Sequence, residues 1–231
     1  MKKPIFARIY NYDKKLLPNN YLQSLEEGVS NIEEAKLNTG FSIGYPGWNL
    51  LYYAVLCSLE KDRFNNIIET GTNVGCSTIM LAQALIDSSF DGCVYTVELD
   101  KNNYEKANEY FDRAGVENII KAYNQNSVDF LSELSPVDGN IRFAFLDANH
   151  DQGNVVNEFE LIYPYLDHKS FVAFDNTYLL TEDQRNKRVN GALEIIKRKY
   201  GGNLINFENV SWYTPGLAFW QKAPFINDWN G

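Results

Sequence analysis

The sequence predicts an α/β protein: a seven-stranded, mostly parallel sheet with helices on both faces and an antiparallel last strand. Three observations carry this prediction. From about residue 45 onward, short apolar runs rich in Ile, Val and Phe alternate with helix-length stretches. Connections of that length imply right-handed crossovers, and hence parallel strands buried on both faces. The final two apolar runs, NLINFEN and GLAFWQK, are separated only by a short loop holding Pro215 and Gly216, which suits an antiparallel pair.

The elements follow in order. Tyr21 to Lys36 supplies one or two short helices within an irregular opening rich in Asn and Tyr. GYPGWNLLYYAVLCSLEK is helix-like, NNIIET is the first strand, and STIMLAQALID is the helix beyond a glycine-containing turn. CVYTVEL is the second strand, and NNYEKANEYFDRAG is a helix whose final Gly can take the left-handed cap. NIIKAYN and IRFAFLD are the third and fourth strands, VVNEFELIYPYL a helix, and SFVAFDN the fifth strand. A polar loop then leads to a helix at about Val189 to Tyr200. No linker rich in Pro, Gly and Ser divides the chain, so one α/β domain is expected over residues 46–231, preceded by an appendage of residues 1–45 for substrate or subunit contacts.

Composition narrows the functional classes. With 45% hydrophobic and 22% charged residues, the 231-residue chain has the makeup of a globular protein with a sizeable core. A net charge of −9 argues against gripping nucleic acid or an anionic membrane with the whole surface, which leaves a small-molecule partner as the expectation. Cys57, Cys76 and Cys93 are odd in number and form no C-x-x-C pair, so neither a disulfide framework nor a structural zinc site is indicated. The longest apolar stretch, Leu51 to Leu59, is far short of the roughly 20 residues a membrane span requires. The expectation is a cytoplasmic protein in a reducing compartment.

Two groups of residues carry chemistry. In IIETGTNVGCS, Gly71 allows close backbone approach to a ligand, and the helix beginning beyond Gly75 offers unpaired N–H groups and a positive dipole end. The spacing is G-x-x-x-G and departs from the dinucleotide fingerprint G-x-G-x-x-G, which weakens a nicotinamide-dependent oxidoreductase reading. Glu98 closes the second strand beside this turn, where a carboxylate can accept hydrogen bonds from both hydroxyls of a ribose, while Asp100 suits capping of the next helix. The second group is Asp147, in FLDANH, with Asp175 and Asn176, in AFDNT, each at the end of an apolar strand. If those strands are neighbours, their ends lie about 5 Å apart, so both carboxylates and the Asn176 carbonyl can point at one cation. All-oxygen ligands suit Mg²⁺, Mn²⁺ or Ca²⁺ rather than zinc. His150, three residues beyond Asp147, is a candidate general base, whereas His168 reads as an exposed turn residue before the fifth strand.

Taken together, these residues resemble the class I S-adenosylmethionine-dependent methyltransferases, and within them the metal-dependent small-molecule O-methyltransferases. IETGTNVGCS and FDNT are similar to the catechol and caffeoyl-CoA group, and D-A-N-H to the D-x-x-H of macrocin-type sugar O-methyltransferases. The resemblance covers roughly residues 45 to 222. It implies a Rossmann-like sheet and S-adenosyl-L-methionine as cofactor, with Glu69, Gly71 and Gly75 around the methionine part, Glu98 at the ribose, Asn126 and Ser127 at the adenine, and Ser77 also binding the cofactor. It also implies a divalent cation, Mg²⁺ first among them, held by Asp147, Asp175 and Asn176, with Asp147 bordering the cofactor as well. His150 would be the base for a small-molecule acceptor, a sugar or natural-product diol or a catechol-like phenol. The catechol group carries a lysine where this chain has His150. The acid at the end of the fourth strand is followed by A-N-H rather than an N-P-P-Y-like base clamp, which speaks against nucleic-acid methylation. Tyr45, Trp48, Trp212 and Tyr213 are candidates either for walls around the acceptor or for core and subunit contacts, a homodimer included.

Overall fold

A computed structural model describes residues 17–25, 27, 31–177, 187–207 and 216–223. Two short helices, α1 (Asn20–Leu25) and α2 (Ile32–Thr39), precede α3 (Gly47–Ser58). The sheet follows with β1 (Asn65–Thr70), α4 (Cys76–Ser88), β2 (Gly92–Glu98), α5 (Lys101–Ala114), β3 (Ile120–Asn124) and α6 (Ser127–Glu133). It continues through β4 (Ile141–Leu146), α7 (Gln152–Ile162), β5 (Leu166–Asp175), α8 (Lys187–Tyr200), β6 (Asn203–Phe207) and β7 (Leu217–Gln221).

The strand order is β3-β2-β1-β4-β5-β7-β6. The first five strands are mutually parallel, and β7 runs antiparallel to both β5 and β6. Alternation of side chains along each strand splits the interior into two cores. Ile67, Phe143, Phe145 and Ala173 pack with α3, α4 and α5, while Ile68, Ala144, Leu146, Val172 and Phe174 pack with α6, α7 and α8. The same parity sends Glu69 toward α4 and Thr70 toward α7, which decides what each can touch. Leu17, Leu22, Ala35, Ile43, Tyr45 and Trp48 join the first core, so α1 and α2 pack on the same face as α4 and α5. Tyr45 and Trp48 are therefore core residues, with Trp48 0% exposed; Trp212 and Tyr213 lie outside the described residues.

Local signals act as their chemistry dictates. Asp100 caps α5 by accepting from the backbone N–H groups of Asn102 and Asn103 at 2.8 and 3.0 Å, and Gly115 ends that helix in the left-handed conformation. Two elements differ from the sequence expectation. Helix α6 follows β3 directly, begun by the Asn126 side chain, which accepts from the N–H groups of Val128 and Asp129; at seven residues it is too short to show a helical period. Strand β5 starts four residues early, so His168 lies in the strand and not in a turn, although it is exposed. The extra residues fit through a register shift opposite Ile141 and Phe143, held by Ser170 Oγ donating to the Ile141 carbonyl at 2.6 Å and by the buried Arg142 donating to Asp167. Among the described residues no helix is long and apolar enough to cross a membrane.

Gly75 caps α4 at φ 88°, and a Cβ there would lie 2.5 Å from the Phe111 ring of α5. Gly75→Ala combines a left-handed backbone with an overpacked contact between two helices. It should therefore destabilise the fold by about 1–3 kcal/mol, read as a lower urea midpoint at an unchanged slope.

Candidate active site

The sheet order reverses between β1 and β4, and a cleft of about 390 Å³ opens where the carboxyl ends of β1, β2, β4 and β5 meet. On the β1–β2 side the chain beyond Thr70 folds back, with the N–H groups of Gly71 and Thr72 both donating to the Val97 carbonyl at 3.0 and 3.2 Å. Gly71, at φ 83°, is required there for a reason internal to the protein. A Cβ would sit 2.2 Å from the Asp147 carbonyl oxygen and 2.8 Å from the Ala148 Cα. The glycine thus lets the β1 and β4 ends touch, and the cleft is the space left beside that contact.

Gly71, Ser77, Glu98, Asn126 and Ser127 line this half of the cleft. Glu98 is oriented by two backbone donors, Asn73 N–H to Oε2 at 2.7 Å and Asp100 N–H to Oε1 at 2.8 Å, which leaves further lone pairs for a ligand. Asn126 has its side-chain oxygen committed to capping α6, so its amide nitrogen is the group it can offer a ligand. Glu69 and Gly75 are not among the lining residues. Glu69 is 0% exposed beneath the turn, where its Oε2 accepts from the Thr78 hydroxyl and, at 2.6 Å, from the Thr96 hydroxyl. Burial pushes its pKa up to about 7, against the opposing hydrogen bonds of Ser77, Thr78 and Thr96. Gly75 faces the Phe111 ring.

Across the cleft stand Asp147, His150, Asp175 and Asn176. One ligand atom from each of Asp147, His150 and Asp175 lies within 4.8 Å of the others. His150 Nε2 is 3.0 Å from Asp147 Oδ1, and the Asn176 amide nitrogen is 3.1 Å from each imidazole nitrogen. Asn176 adopts φ 56°, which turns its backbone at the end of β5. Burial holds both carboxyls well above the carboxylate range, and repulsion from Asp147 adds to the shift at Asp175. Burial also lowers the pKa of His150, favouring the neutral imidazole with a lone pair to share. The Asp175 Oδ1 atom is buried with no hydrogen-bond partner. Two adjacent carboxylates with an unpartnered buried oxygen fit a small divalent cation, which would supply the missing opposite charge.

Several cleft residues were not legible as such in the sequence. Phe41 and Ser42 reach the cleft from beyond α2, and Asn103 and Asn154 from the first turns of α5 and α7. The Asn73 amide donates to the Gly40 carbonyl at 2.5 Å, tying the segment after α2 to the glycine turn.

Residues 68–177 match the family model described as a methyltransferase domain. An Arabidopsis thaliana protein named as a candidate caffeoyl-CoA O-methyltransferase is 31% identical over 145 residues, covering 62% of this chain and 58% of that protein. The flavonoid 3′,5′-methyltransferase of Vitis vinifera is 31% identical over 113 residues, covering 48% of this chain and 46% of that protein. The chain thus spans about half the length of these relatives. An O-methyltransferase from Bacillus cereus, solved in complex with S-adenosylhomocysteine, superimposes with a TM-score of 0.68 over 94% of this chain and 97% of that one, at 18% identity. The fold is that of a class I methyltransferase. The matched stretch and the fold are thus shared with methyltransferases.

Glu69 offers a measurable consequence of burial. Its folded-state pKa of about 7 exceeds the ordinary 4.5, so its contribution to stability is fully present below about pH 4.5 and is lost as pH rises through 7. Glu69→Gln should lack this dependence. Relative to wild type, the variant should gain up to about 3 kcal/mol between pH 5 and pH 8, measured as paired denaturant midpoints.

Proposed function

We propose that the chain is an S-adenosylmethionine-dependent O-methyltransferase that methylates a hydroxyl of a small molecule carrying two neighbouring oxygens, with the help of a divalent cation. The observation that carries the reading is that the oriented Glu98 carboxylate and the Asp147–His150–Asp175 cluster border one cleft. In this reading Glu98 accepts from the ribose hydroxyls, and Gly71 and Ser77 border the methionine part of the cofactor. Ser127 and the Asn126 amide flank the adenine. Asp147, Asp175 and the Asn176 carbonyl hold the cation, Mg²⁺ by preference.

A bound divalent cation lowers the pKa of a coordinated hydroxyl and fixes which of two neighbouring oxygens faces the methyl group. The protein's part is positional and protonic. Holding acceptor oxygen and methyl group in line removes much of the entropic barrier to displacement at the sulfonium. His150, kept neutral by burial and held by Asp147 and Asn176, removes the hydroxyl proton. The acceptor belongs to the class of sugar or natural-product diols or catechol-like phenols. A caffeoyl-CoA or flavonoid acceptor is suggested by the relatives' names. A small-molecule partner at a cytoplasmic location completes the reading, without nucleic acid or membrane.

Calorimetry with S-adenosylhomocysteine and titration with Mn²⁺ test the two halves separately. Glu98→Ala should weaken S-adenosylhomocysteine binding by about 1–3 kcal/mol and leave Mn²⁺ binding nearly intact, because it leaves the ribose hydroxyls unpaired. Asp175→Asn should do the reverse. Unchanged affinity for both ligands in both variants would remove the assignment. His150→Ala should lower turnover by about 10²- to 10⁴-fold at nearly constant Mn²⁺ affinity; an equal loss of metal binding would make His150 a ligand and not the base.

A further inference from the structure

Glu158 sits on α7 behind the wall of the cleft and is 1% exposed. A carboxyl group is a costly choice for such a place unless its oxygens are satisfied. Three polar side chains from three elements converge on it. Thr70 Oγ, at the end of β1, donates to Oε2 at 3.2 Å. Asn154 Nδ2, one turn earlier on α7, donates to Oε1 at 3.0 Å. The Ser127 hydroxyl, at the start of α6, lies beside the same carboxyl and favours its charged form. Burial raises the pKa of this group, and all three side chains oppose that rise.

What these side chains hold is more telling than their number. Ser127 and Asn154 both line the cleft. Thr70 anchors Asp147, whose N–H donates to the Thr70 carbonyl at 3.0 Å and approaches its hydroxyl at 3.4 Å. One carboxyl group therefore connects a residue on the cofactor side to the backbone that carries Asp147. Strand parity makes this possible, because Thr70 points to the α7 face while its neighbour Glu69 points to α4.

We propose that Glu158 is a positioning residue that ties the cofactor half of the cleft to its metal half, fixing Ser127 on one side and Thr70, and through it Asp147, on the other. The inference rests on the function proposed above. Replacement by glutamine preserves size but supplies one acceptor oxygen and an NH₂ group to these three side chains, so at least one of them loses its acceptor. Outer-shell partners of metal ligands are worth about 10- to 100-fold in metal affinity or activity.

The test uses the full chain, with S-adenosylhomocysteine binding measured by calorimetry, Mn²⁺ binding measured by electron paramagnetic resonance, and melting temperature recorded alongside. Glu158→Gln should weaken both ligands by about tenfold while the melting temperature stays within a few degrees of wild type. Ser127→Ala should weaken S-adenosylhomocysteine alone, and Thr70→Val should weaken Mn²⁺ alone. Each of these effects should largely vanish when it is introduced into the Glu158→Gln background. Both ligands bound as in wild type by Glu158→Gln would overturn the inference and leave the proposed function standing. So would strictly additive double variants, which give a readout even where one single variant is unstable. A wild-type protein that binds neither ligand would overturn the inference and the function together.

Discussion

The contact between Gly71 and the backbone of Asp147 sets the geometry on which the rest of the candidate site depends. At the reversal of strand order the ends of β1 and β4 would normally be held apart by side chains. Here the absence of a Cβ lets them close to a distance that no other residue permits. The Asp147 N–H then reaches the Thr70 carbonyl, which sets where the Asp147 carboxylate stands relative to β5 and to Asp175. The turn itself is folded back on Val97, so β2 and Glu98 are drawn into the same arrangement.

Electrostatics sharpen the picture. In a chain of net charge −9, burial raises the pKa of four carboxyl groups around one sheet edge, Glu69, Asp147, Glu158 and Asp175. Glu158 is answered at both oxygens by hydroxyl and amide donors from the protein, and Glu69 at its Oε2 alone. The other two face each other across the β4–β5 boundary with an unpartnered oxygen between walls of the fold.

Much of this is legible in the sequence because it depends on position along strands. Asp147 and Asp175 pair by sequence alone, since each ends an apolar run and one helix joins the two runs. Glu98 and the capping role of Asp100 follow from the same strand-end logic. What is not legible depends on tertiary approach. Glu158 reads as an ordinary polar position in VVNEFELI, and only the packing of α7 over Thr70 gives it partners. Phe41 and Ser42 reach the cleft through the hook between Asn73 and Gly40, a contact spanning 33 residues. Gly75 has the sequence setting of a ligand turn, yet its lack of a side chain serves Phe111.

The alternation along β1 has a consequence for how such a chain can vary. Ile67 and Glu69 belong to one face, Ile68 and Thr70 to the other, and every one of the six residues of the strand is buried. Inserting or deleting one residue before Glu69 would exchange the two faces, sending the carboxyl toward α7 and the hydroxyl toward α4. Both hydrogen-bond networks would be lost together. A one-residue change in the length of β1 is therefore costlier than any single substitution within it, whereas exposed loops at the opposite end of the strands tolerate added or lost residues.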